Sequence, residues 1–236
     1  MPSFMSPFIC GTRNLLSQGF RSLPVLLGGA ILVLGLSQGN INLLFFFVGL
    51  CILAPTSALI INMLWELIFS NTPQWLTPPE VLWKLPDATA SACAIYSIDN
   101  KIPPVILNVV PSYWVTMISF FVYYLYINAA TLYTQQSSSK APESAVLARK
   151  SQTMSSMILI ITIYMIIILL RYSTGCETAL GMFIAYLLGT GIAYGWHSFM
   201  RSCGLGRLDD IFGISNRILP QQSYEAPDPT VCAAAN

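Results

Sequence analysis

Hydrophobic positions along this chain fall in long unbroken blocks, not in the alternation of a half-buried strand or the stripe of a surface helix. Ser22 to Trp65, Ile102 to Ser139 and Ala179 to Met200 contain no Asp, Glu, Lys or Arg. A helix rises about 1.5 Å per residue and the hydrocarbon core of a bilayer is about 30 Å thick, so about 20 apolar residues suffice to cross it. The blocks predict clear spans over about 113–133, 154–170 and 179–200. A further span, about 41–69, is longer than a crossing needs and carries Pro55 near its middle, where the missing backbone donor predicts a kink. The first apolar run, about 23–36, reaches only about 21 Å. It ends in Ser37-Gln38-Gly39-Asn40, a turn signal suited to a helical hairpin. Either it crosses with help from residues before Leu23, or it is a short partner leaning on the next helix. The fold class is all-α, a polytopic transmembrane helical bundle of four to five spans. An N-terminal segment (1–22) precedes the transmembrane domain (23–200), and an exposed, largely irregular tail (201–236) follows it.

Composition points the same way: 55% of the 236 residues are hydrophobic and 9% are charged, against about 25% charged in a soluble domain. A net charge of +1 implies no nucleic-acid partner. No small-residue cleavage site follows the first apolar run, so no removable signal peptide is expected. The eleven Lys and Arg divide as five and six between the two sides for five spans, and as three and eight for four spans. Only the second count would set an orientation, with both termini cytoplasmic.

The segment between residues 70 and 110 is too apolar for a plain linker. Trp75 and Trp83, with Leu76, Val81, Leu82 and Leu85 among Pro78, Pro79, Glu80, Lys84 and Asp87, predict a segment lying flat in the headgroup layer. The sharper alternative is a docking surface for another protein. Gln135 to Lys140 begins a solvated loop.

Chemistry-bearing groups are sparse. One histidine and cysteines at 10, 51, 93, 176, 203 and 232, none in a C-x-x-C pair, argue against a zinc site. The loop and tail cysteines leave their pairing open, and Cys51 reads as a small hydrophobe. Ionisable groups at membrane depth are functional candidates, and here Glu66 and His197 both fall near span ends and read as interfacial. Asn62 and Asn128 read as interhelical hydrogen-bond partners. Gly204-Leu205-Gly206 follows a membrane helix and lacks the third glycine of a dinucleotide loop. Asp209 and Asp210 stand without further ligands. No catalytic, cofactor-binding or metal-ligating residue is assigned, and the chain is not expected to be an enzyme.

Two features point to packing and to partners. In the last span Gly181, Ala185 and Gly189 recur every fourth residue, followed by the pair Gly191 and Gly195. Such small residues let a neighbouring helix approach closely, within the chain or in a homo-oligomer. In the tail, Asp210, Ile211, Phe212, Gly213 and Ile214, then Ile218-Leu219-Pro220, form an apolar run with little core of its own. It should fold back on the membrane domain or dock to a partner.

Cys176-Glu177-Thr178 with Leu180-Gly181, Gly195-Trp196, Arg201-Ser202-Cys203-Gly204, Asp210 to Ile214, Ile218-Leu219-Pro220 and Cys232 together resemble a family of small multi-span membrane proteins encoded by large algal DNA viruses. The resemblance covers the last quarter of the chain and brings no enzymatic motif. It implies a virion with an internal lipid membrane beneath an icosahedral capsid, in which this chain is a structural, minor-capsid-associated protein. Its partners would be the bilayer and capsid or core proteins, and its location the virion inner membrane, with host endomembrane during assembly. An oligomeric pore, motivated by the glycine-rich last span, is the alternative.

Overall fold

The computed structural model describes residues 19–70, 72, 110–134 and 143–203. Their order is α1 (Leu23–Gln38), α2 (Ile41–Val48), a π-helical turn (Gly49–Leu53), α3 (Ala54–Ser70), α4 (Tyr113–Thr134), α5 (Glu143–Ser173) and α6 (Ala179–Ser202). α2, the π turn and α3 stack end to end, so four rods are long and apolar enough to cross a membrane: Ile41–Phe69, Tyr113–Thr134, Val146–Ser173 and Ala179–Ser202. The segment around Trp75 and Trp83 and the tail run Asp210 to Ile214 lie outside the described residues.

α1 is the shorter apolar helix, 16 residues long with a proline in its first turn. It ends at Gly39, whose φ of 61° is the left-handed conformation that glycine adopts without strain. Asn40 then caps α2, its side chain accepting the Asn42 N–H at 3.1 Å. The hairpin read from Ser37 to Asn40 is thus built by a glycine stop and an asparagine start. A helical turn at 19–21 precedes α1. Through it the Phe20 carbonyl accepts the Trp114 indole N–H at 3.3 Å, at the entrance of α4. Residues before Leu23 therefore carry the run from the Gly39 end of the bundle to the Trp114 end, while α1 also lies against α2.

The perturbation expected at Pro55 takes the form of a π turn just before it. The Ala54 N–H donates to the Gly49 carbonyl five residues back, and the wider turn reaches the proline where a regular helix would lose a bond. α5 begins eleven residues before the apolar run it was read from, because Glu143 and the good helix formers Ala148, Arg149 and Lys150 extend it.

α4 is the centre of the bundle. Phe46 of α2 packs with Tyr124 at 4.7 Å, Phe121 at 5.8 Å and Phe120 at 5.9 Å between ring centroids, in a core shared with Leu43, Leu50, Met117 and Ala193. Trp114, Val115 and Ile118 make a second cluster with Ala185 of α6 and with Tyr164, Ile167 and Ile168 of α5. The outer face of α5, including Ile158, Leu159, Ile166 and Leu169, is exposed, as a lipid-facing helix requires.

Gly181, Ala185 and Gly189 are buried, and the stripe continues through Ala193 to His197. A Cβ on Gly189 would stand 2.6 Å from the Thr116 carbonyl oxygen and 2.7 Å from Ser119 Cβ. Gly191 and Gly195 do not join this seam. They sit on the outer side of α6, exposed, with no atom near a Cβ built on either, since two and six residues past Gly189 turn away from its face. Gly189→Leu should therefore lower the melting temperature of the purified chain in detergent, overpacking of a tight seam costing about 1–3 kcal/mol. Gly191→Leu should leave it unchanged.

Candidate functional site: a buried charge junction

The residues with the most chemistry gather where α5 ends and α4 and α6 begin. α5 finishes with Arg171, Gly175 turns the chain with φ 69°, and Thr178 caps α6 by accepting the Gly181 N–H at 3.1 Å. Ser112 caps α4 in the same way, its hydroxyl accepting the Val115 N–H at 3.2 Å. The Ser112 N–H reaches the Gly181 carbonyl at 3.5 Å, so two helix N-termini lie side by side.

Into this corner fold Arg171 and Glu177, 4% and 5% exposed. The Arg171 Nε–H donates to Glu177 Oε1 at 3.0 Å. The guanidinium also lies over the Trp114 ring, 4.9 Å from its centroid, and Trp114 packs on Phe20 at 5.2 Å. One ion pair thus joins α4, α5, α6 and the lead into α1. Cys176, beside Glu177, is disulfide-bonded.

Burial pushes the Glu177 carboxyl above its ordinary value, against the opposing pull of Arg171 and of the Ser112 hydroxyl. A carboxyl whose folded value is raised binds its proton more tightly folded than unfolded. Its contribution to stability is present below the ordinary carboxylate range and is lost as pH rises through the raised value.

Neither residue taken alone singles out this pair: Arg171 is one of eleven basic residues, and Glu177 enters only through the resemblance. The signal was available: opposite charges at the facing ends of two apolar spans, separated by a glycine turn. His197, read as interfacial, is buried within the bundle, 5% exposed and edge-on to Tyr124 at 5.5 Å. The stripe of small residues carries it to the α4 seam. Asn62 and Asn128 are buried, and Asn128 Oδ1 has no hydrogen-bond partner among the described residues. Links between helices come from Ser119 with Tyr164, 2.8 Å between hydroxyls, and from the Trp196 indole N–H donating to the Phe45 carbonyl at 3.2 Å.

These elements define a polytopic helical membrane protein. No protein-family model, no curated protein and no solved structure matches the chain.

Removing one partner of a buried pair strands the other charge and costs about 3–5 kcal/mol, whereas apolar replacement of both is often neutral. Arg171→Met should therefore destabilise the chain strongly in detergent melts, and Arg171→Met with Glu177→Leu should recover most of the loss.

Proposed function

We propose that the chain is a structural integral membrane protein of a virion inner membrane that anchors capsid or core proteins to the bilayer. The observation that carries this reading is how the interior polar groups are used. Arg171 with Glu177, Ser119 with Tyr164, Trp114 with Phe20 and Trp196 with Phe45 all tie one helical segment to another. Such cross-links suit a rigid platform in lipid. The resemblance running from Cys176 to Cys232 supports the virion setting, and the apolar run Asp210 to Ile214 and the Trp75 and Trp83 segment are the proposed partner-binding elements.

The disulfide at Cys176 argues for an oxidising compartment at that end of the bundle. The end with Arg149, Lys150 and Arg201 would then be cytoplasmic, in keeping with the positive-inside rule. The tail leaves α6 at that end, on the side where shell proteins are synthesised. Cys203 is free and exposed there. A membrane-impermeant maleimide should label it in sealed microsomes whose cytoplasmic face is outward, and protection until the vesicles are opened would reverse the orientation.

The anchor itself is tested on particles stripped of lipid by mild detergent. The full chain should stay with the capsid proteins in quantitative mass spectrometry, and a chain truncated after Arg201 should be lost with the lipid. Retention of the truncated chain would overturn the tail as anchor. Absence of the full chain from particles, with ion flux in reconstituted vesicles that Gly191→Leu abolishes, would favour the pore.

A further inference from the structure

We propose that Glu177 is a proton-binding site, its Oε2 oxygen taking up and releasing a proton. Proton exchange there switches the junction of α4, α5 and α6 between a neutral-acid state and an ion-paired state.

The geometry of the carboxyl carries the argument. Oε1 accepts the Arg171 Nε–H at 3.0 Å, whereas Oε2, also buried, has no hydrogen-bond partner among the described residues. Arginine commonly grips a carboxylate with two parallel bonds, one to each oxygen; here Oε1 accepts the Nε–H and Oε2 is not gripped. Apart from the pull of the Ser112 hydroxyl, which forms no hydrogen bond to Oε2, an ionised carboxylate so held leaves a charged oxygen without a donor in a dry site, an expensive arrangement. A proton on Oε2 removes that charge and leaves Oε1 still accepting from Arg171.

The neighbours allow the exchange without stranding the cation. Around the carboxyl stand Arg171 from α5, Ser112 and Trp114 from the start of α4, and Thr178 from the start of α6. Arg21, one residue past Phe20, adds a second cation at this end. Arg171 and the two helix N-termini favour the anion, while burial favours the acid and prevails. When Glu177 is neutral, Arg171 keeps the face of Trp114 and the Oε1 acceptor, so its charge remains compensated. The proton comes from and returns to the aqueous phase, and no other bond changes.

The test reads this carboxyl in the unaltered sequence. Carbon-13 glutamate is placed at position 177 alone by cell-free suppression, and the full chain is reconstituted in phosphatidylcholine vesicles. Its infrared carbonyl band is then followed as a function of pH. A carbon-13-labelled glutamate in a short unstructured peptide is the reference, at the ordinary value of about 4.3. The protonated-acid band of Glu177 should persist at least one pH unit higher, a proton affinity raised tenfold or more. A band that vanishes together with that of the reference peptide, or is absent throughout, would overturn the proposal.

Discussion

Lipid chains are as apolar as the side chains between two membrane helices, so burial supplies little drive to bring those helices together. What holds this bundle is the distance at which backbones meet, and at Gly189 the approach is to the α4 backbone itself. Its α-carbon faces the Thr116 carbonyl and the Ser119 side chain of α4 with no room for a methyl group. That approach sets the depth at which Ala185 enters the Trp114 cluster and Ala193 enters the Phe46 cluster. It also sets where His197 meets Tyr124. Because α4 in turn receives α2 and α5, the seam with α6 fixes the frame for the others.

The π turn belongs to the same packing problem. Gly49 sits against Phe120 and Trp196, where a Cβ would lie 2.6 Å from the Phe120 ring and 2.8 Å from the Trp196 nitrogen. The indole of Trp196, so close, donates to the Phe45 carbonyl one turn earlier. Pro55, which withholds a donor, and Gly49, which admits a ring, therefore serve one crossing of three helices. A straight helix with alanine at 49 would push Trp196 away and lose that bond.

The helices were legible in the sequence because the hydrocarbon thickness imposes a length that few other constraints imitate. Their bounds were less so: the amphipathic stretch from Glu143 to Thr153 forms helix by propensity and charge placement, which apolar length does not register. The inner half of the small-residue stripe was legible, since Gly181, Ala185 and Gly189 share a face by spacing alone. Gly191 and Gly195 show the limit of that reading, because spacing tells which residues share a face and not which face meets a partner. The Arg171 and Glu177 pair was hidden for a related reason. Each charge taken alone looks like a span boundary, and only the tight turn at Gly175 makes them one buried group.

That pair also bears on the orientation proposed for the chain. A guanidinium neutralised by a buried carboxylate or held on an indole face does not act as a free cation in a loop, so Arg171 leaves the tally that governs orientation. If α1 crosses, the end of the bundle bearing Cys176 keeps four basic residues against six at the other; if α1 does not cross, it keeps two against eight. Both counts now lean the same way, and in the direction argued by the disulfide at Cys176. Charge outside the membrane and oxidation of a thiol are thus two independent supports for the orientation proposed, with the tail departing from α6 at the cytoplasmic end.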